Sequence, residues 1–298
     1  MTITNAVLVA SGDLRETANR LCWPVQAELE RNIEAAFARH GVTVRRAHPV
    51  DPAAGHGFIS SQRMGMDVFA GIDPDAPIIV AEAVWQYSHH VLPGLRRHRG
   101  PILTAANWVG AWPGLVGMLN LNASLTKMGH AYSSIWSPDM TDAFADQAIG
   151  EWIATGAITH DTSHVRDLDI DSIDAEAAAT GRRLAGELSD RMAILGVFDE
   201  GCMGMYNAII DDEYLNPMGL YKERLSQSAL VAEMRLVTTG EARAAYQWLI
   251  DRGVRFQLGS DGATELTEDQ VLDQLRLYTA AMRIADRFGC DSIGIQYQ

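Results

Sequence analysis

The chain has 298 residues, enough for two α/β domains of ordinary size. Hydrophobic residues make up 47 % of it, and its formal net charge is −14. An acidic surface repels nucleic-acid phosphates and anionic membranes, so we expect neither as a partner. The three cysteines lie far apart without zinc-binding spacing, and no export signal or membrane-spanning stretch is evident. We therefore expect a cytoplasmic protein with reduced thiols.

Short apolar runs alternate with helical patterns through the first half of the chain. The run 6–10 predicts a strand that ends in a small polar turn. Apolar residues at every fourth position from Leu21 to Phe37 predict a long helix, which starts or kinks at Pro24. Further strands are predicted at 42–47, 77–81, 101–104 and 131–135, and a further helix at 115–128. This alternation is typical of a parallel sheet with helices on both faces.

A polar stretch without apolar periodicity, residues 159–172, predicts a domain boundary. We place an N-terminal α/β domain at 1–165 and a central α/β domain at 166–298. The capping box 267–270 predicts the start of a long helix. Other helices are predicted at 174–189, 221–237 and 241–252, and strands at 192–198, 254–256 and 292–298. The predicted fold class is α/β, with two consecutive Rossmann-like three-layer domains and mainly parallel sheets.

Several candidate site residues follow predicted strands. Trp85 is either a flat platform for the apolar face of a sugar or an ordinary aromatic residue packed over the sheet edge. The adjacent His89 and His90 are not assigned to a metal, because neighbouring side chains point in different directions. The loop 107–114, rich in Trp, Gly and Pro, is either a site wall or a tight strand-to-helix turn. The first turn lacks both common phosphate-binding patterns, so nucleotide binding is not supported.

Two later segments also follow strands. In the segment 199–205, glycines permit close approach of a ligand, and Asp199 and Glu200 serve either acid–base chemistry or, more simply, a helix N-terminus. The segment 296–298 ends an apolar strand with two glutamines, whose amides suit hydroxyl recognition unless they belong to a solvated chain end.

Taken in order, these segments resemble the L-fucose isomerase family. The similarity is dispersed along nearly the whole chain and has no single signature. It is carried by Trp85 and Tyr87, by Asn107, Pro113 and Gly114, by Cys202 to Met205, and by Ser292, Ile293, Tyr297 and Gln298.

The resemblance implies a cytoplasmic aldose–ketose isomerase that uses Mn²⁺ and an ene-diol mechanism, in which two carboxylates shuttle the proton. It implies substrate-binding roles for Arg15, Trp85, Met203 and Gln298. It also implies a homo-oligomer, a trimer or hexamer, because the family's arginine and tryptophan act at a neighbouring subunit's site. The sugar itself is not specified by these residues.

The resemblance has one serious departure. The family's catalytic carboxylates and its metal-binding histidine lie beyond the position matched by Gln298, so this sequence contains no positions for the catalytic or metal residues. We expect the sequence to be truncated or completed by another polypeptide. The alternative is a non-catalytic sugar-binding or scaffold subunit.

Overall fold

The structure is a computed structural model that describes residues 2–201 and 203–295. It divides into a first unit, residues 1–167 and 202–209, and a second unit, residues 168–201 and 210–298. The sequence predicts residues 202–209 in the second domain, whereas the described residues 203–209 pack within the first unit. In the described part of the chain, no helix combines the length and apolarity needed to cross a membrane.

The first unit is built around a parallel sheet, called the first sheet, with strand order 2-1-3-4-5. Its strands are β1 (Asn5–Val9), β2 (Thr43–Arg46), β3 (Ile78–Glu82), β4 (Ile102–Asn107) and β5 (Ser133–Ser137). Its helices are α1 (Glu16–Arg39), α2 (Gln62–Ala70), α3 (Leu92–Leu95), α4 (Gly114–Lys127) and α5 (Ala143–Thr155).

Both faces of the first sheet are covered, because successive strand residues point to opposite sides. On one face, Ile79 and its neighbours pack against α1 and α5, where the rings of Phe37 and Trp152 meet edge to face at 5.8 Å. On the other face, Val80 packs in a core that includes Leu121 of α4. This arrangement confirms the predicted three-layer, parallel α/β fold.

The second unit contains a smaller parallel sheet of strand order 7-6-8. Its strands are β6 (Ala193–Phe198), β7 (Leu220–Leu225) and β8 (Ser292–Ile295). Its helices are α6 (Ala175–Arg191), α7 (Asp212–Leu215), α8 (Gln227–Met234), α9 (Thr239–Asp251) and α10 (Glu268–Phe288). Phe198 and Leu225 of the sheet pack against Leu230 of α8 and Ile284 of α10. The predicted capping box of α10 is present, with Thr267 and Gln270 capping each other.

Two local predictions were wrong, and one alternative of a third is excluded. The helix predicted at 221–237 is strand β7 followed by α8, because residues 220–225 pair along their length with β6. The segment 254–256 is irregular, since the N–H of Val254 bonds back to Leu249 O at the end of α9. Of the two alternatives predicted for Pro24, a helix start or a kink, the helix start is excluded, because α1 already begins at Glu16.

Candidate functional site

The two loops that follow β1 and β3 meet at one edge of the first sheet. In a sheet of this strand order the chain runs in opposite directions away from β1 and β3, and ligands of such folds bind in the crevice at that switch point. Here the N–H of Tyr87 donates to Gly12 O at 3.0 Å, and Ser11 Oγ donates to Tyr87 O at 3.1 Å. The loop that holds Arg15 and the loop that holds Trp85 are therefore directly bonded; we call this edge the switch-point edge.

Arg15 is oriented by the buried carboxylate of Asp13. Its Nε and Nη2 donate to the two Asp13 oxygens at 3.1 and 2.7 Å, while the guanidinium side chain remains 66 % exposed. Burial alone would raise the pKa of Asp13, but the hydrogen bonds and charge of Arg15 hold it below its ordinary value. Asn19 fixes the turn by bonding to both the N–H and the carbonyl of Asp13. A cationic donor is thus presented to solvent in a defined geometry.

Trp85 follows a turn whose backbone is hydrogen-bonded by a side chain of α1. The Gln26 side chain accepts from Ala83 N at 2.9 Å and donates to Ala81 O at 3.1 Å, which locks the end of β3. The Trp85 side chain is half-buried, and its indole Nε1 has no acceptor among the described residues. The tryptophan therefore lies on a rigid support, and its buried indole N–H is left without a hydrogen bond to any described residue.

Glu82, the last residue of β3, was not predicted as a site residue. It is fully buried, and its two carboxyl oxygens have no hydrogen-bond partner within the described residues. Burial raises the pKa of Glu82 well above its ordinary value of 4.5, and no described cation offsets the loss of water. A signal was present in the sequence, since this carboxyl interrupts an apolar run that extends from Ile78 to Val84.

Two amide side chains, those of Gln86 and Asn120, bond the loop after β3 to helix α4. Gln86 donates to Gly117 O at 3.2 Å and Asn120 donates to Gln86 O at 3.0 Å, yet the side-chain oxygens of both lack donors among the described residues. Gly117 permits this approach, because a Cβ there would lie 2.3 Å from Val84 O. The loop after β3 therefore packs directly on the backbone of α4. Two buried amide oxygens, Gln86 Oε1 and Asn120 Oδ1, lie at this contact without a donor among the described residues.

The segment 203–209 also lies at the switch-point edge. Gly204 O accepts from both the N–H and the Oγ of Ser88, at 3.1 and 2.7 Å. The Lys127 ammonium lies 4.8 Å from the centre of the Tyr206 ring. Met203, at the start of this segment, has a positive φ of 39°. Three of the four predicted substrate-binding residues, Arg15, Trp85 and Met203, are thus carried by segments that meet at one edge.

Replacing Gly204 with alanine (Gly204→Ala) should destabilise the packing of residues 203–209 against Tyr87. Gly204 has a φ of +75°, and a Cβ there would lie 2.1 Å from Tyr87 Cδ1. Strain and overpacking together should cost about 1–3 kcal/mol, measured as faster hydrogen exchange in residues 203–209. The matched control is Gly129→Ala, with φ +73° but nothing within 4 Å of a Cβ. Equal effects of the two substitutions would contradict the close packing on Tyr87.

The remaining candidates have structural partners or cannot be placed. Gln298 lies outside the described residues, as do Gln296 and Tyr297. His90 is buried, with Nδ1 3.1 Å from Ile59 O, and burial lowers its pKa. Asp199 accepts from the N–H of Gln227 at the start of α8, as expected of a helix N-terminus, and Glu200 pairs with Arg224 at 3.1 Å.

The resemblance implies Mn²⁺, and the described residues do not fit it. Among them, no three or more His, Cys, Asp or Glu side chains are grouped so that they could hold a metal ion. The buried Glu82 belongs to no such group within the described part of the chain. No chemical step is therefore derived through a metal at these residues.

Comparisons with known proteins do not assign the chain. No protein-family model matches it. No curated protein matches it at a significant level. The fold defines a class, a parallel α/β protein, and its switch-point edge carries aromatic and polar side chains of the loops that follow β1 and β3.

Proposed function

We propose that this chain is part of a metal-dependent aldose–ketose isomerase similar to the L-fucose isomerases, and that its switch-point edge holds the sugar. The observation that carries the proposal is the direct bonding of the Arg15 loop to the Trp85 loop, through Tyr87 and Gly12. Arg15 and Trp85 are two of the residues to which the resemblance gives substrate-binding roles.

The chemistry of these side chains suits a polyhydroxylated ligand. Asp13 holds the Arg15 guanidinium in a defined orientation, and guanidinium N–H groups are hydrogen-bond donors suited to hydroxyl oxygens. Trp85 is half-buried and offers an apolar ring to the C–H face of a sugar. In the proposed homo-oligomer, this edge completes the site of a neighbouring subunit. The resemblance places the metal ligands and the proton-transferring carboxylates beyond the position matched by Gln298.

The test is turnover by the native protein supplied with Mn²⁺, using L-fucose and D-arabinose and measuring ketose formation. We expect turnover, and we expect Trp85→Ala to lower kcat/KM by about tenfold, equal to about 1.4 kcal/mol of lost transition-state stabilisation. Trp248→Ala, at an exposed tryptophan of the second unit, is the matched control and should leave kcat/KM unchanged.

The second candidate is a sugar-binding or scaffold subunit without catalysis, and the lack of a metal-binding group among the described residues favours it. Saturable sugar binding by the native protein without ketose formation from any aldose would overturn the isomerase proposal in favour of this one. Turnover that is equally fast in Trp85→Ala would instead remove the switch-point edge from the site.

A further inference from the structure

A cavity of about 560 Å³ lies in the first unit, away from the switch-point edge. It is lined by the end of α2 and the loop that enters β3, and by α3 and the loop that enters β4. Loops that enter parallel strands lie at the amino-terminal edge of a sheet, opposite the edge that carries Arg15 and Trp85. A cavity of this size accommodates a small organic ligand.

The walls of the cavity are mainly apolar. Phe69 and Ile72 are half-buried and pack on the core beneath α2 and α3, and Met66 stays 41 % exposed. Gly94 lies flat on the Phe69 ring, since a Cβ there would be 2.1 Å from Phe69 Cγ. Concave, accessible apolar surface of this kind favours a ligand with an apolar body.

The cations at this cavity differ in how far they are neutralised. Arg99 is held by Asp75 through two bonds of 2.9 and 2.6 Å. His98 bonds to Ala76 O at 2.8 Å, and burial lowers its pKa, which disfavours its charged form. Arg97 is exposed, and its guanidinium has no hydrogen bond or ion pair with any described residue. One positive charge is therefore left unmatched.

A second negative charge on the ligand would be repelled by the carboxylates of Asp73 and Asp75. Asp73 is close enough to act electrostatically on both His98 and Arg99, and Asp75 is beside it. A guanidinium fork matches one carboxylate with two parallel hydrogen bonds. The charge balance therefore favours a ligand with a single negative charge.

We infer that this cavity is a second binding site, for a monoanionic and largely apolar acid, such as an aromatic or branched aliphatic carboxylate. The carboxylate pairs with Arg97, and the apolar body lies against Phe69, Ile72 and Met66. The inference is independent of the proposed isomerase activity, because it uses none of the residues at the switch-point edge.

The experiment is isothermal titration of the full chain with 3-phenylpropanoate and with the neutral 3-phenylpropanamide. We expect the acid to bind and the amide to bind at least about tenfold more weakly, as loss of a charge-assisted hydrogen bond predicts. Arg97→Met should weaken binding of the acid by a similar factor. The matched control is Arg96→Met, at the neighbouring exposed arginine outside the cavity lining, which should bind like the unmodified chain.

Three results would overturn the inference: no binding of the acid at millimolar concentration, equal binding of acid and amide, or equal binding by the Arg97→Met and Arg96→Met variants. Because Arg97 is exposed, its substitution leaves the core intact, and circular dichroism of each variant checks this. Binding of the acid that L-fucose displaces would also contradict it, since the two ligands would then share a site.

Discussion

Replacing Glu82 with glutamine (Glu82→Gln) should stabilise the protein, relative to the unmodified chain, increasingly as the pH rises above 4.5. Burial raises the pKa of Glu82 in the folded state, so the folded chain keeps a proton that the unfolded chain releases. The unmodified chain therefore loses stability at up to about 1.4 kcal/mol per pH unit, from the unfolded pKa up to the folded one. The glutamine cannot ionise, so it avoids this loss.

The measurement is urea unfolding of both chains between pH 4.5 and neutral pH, followed by tryptophan fluorescence. Six of the seven tryptophans, all except Trp248, lie in the first unit, so the signal mainly reports its unfolding. The difference between the two chains is the informative quantity, because buried histidines such as His48 add a pH dependence common to both. Glu34→Gln, at an exposed position of α1, is the control. A difference that does not change with pH would show that Glu82 is ionised in the fold.

Replacing Arg46 with methionine (Arg46→Met) should cost about 3–5 kcal/mol of stability, because it leaves Glu30 as a buried charge without its partner. The two side chains are only 16 % and 7 % exposed, and they meet at 2.5 Å. Arg46 also donates to Gly57 O at 2.6 Å and to His48 O at 2.7 Å, so it ties β2 to the loop that follows it. The same unfolding experiment measures the loss.

Two further variants separate the buried pair from a general effect of removing arginine. Arg45→Met, at the exposed neighbour on β2, should change the free energy of unfolding by less than about 0.5 kcal/mol. Combining Arg46→Met with Glu30→Met should recover much of the loss, because a buried ion pair is often replaceable by apolar side chains. A cost for Arg46→Met no larger than that for Arg45→Met would contradict the account.

The two loops that hold Arg15 and Trp85 at the switch-point edge were predictable, because each follows a short apolar strand. The run before Ser11 and the run before Trp85 both read as buried strands, and the residues after such strands gather at one edge of a parallel sheet. Helices α2 and α5 were missed, although each begins at a side-chain cap, Ser61 and Asp142, that the sequence displays.

The position of the segment 203–209 and the identity of strand β7 were not predictable. Both depend on contacts between residues distant in the chain, which local periodicity does not encode. The segment that begins at Met203 reaches the first unit through the bond between Gly204 and Ser88, 116 residues away in the chain. Strand β7 resembled a helix because it carries charged residues. Lys222 can be buried there because Glu200, 22 residues earlier in the chain, pairs with it. The charge of Lys222 therefore reflects pairing and not exposure.

The most direct test of the central claim is a titration of the native protein with L-fucose, followed by calorimetry, for the unmodified chain and for Trp85→Ala and Trp248→Ala. The account predicts saturable binding that Trp85→Ala weakens by about tenfold, equal to about 1.4 kcal/mol, and that Trp248→Ala leaves unchanged. Binding of equal strength by all three proteins, or no binding by the unmodified chain, would contradict a sugar site at the switch-point edge.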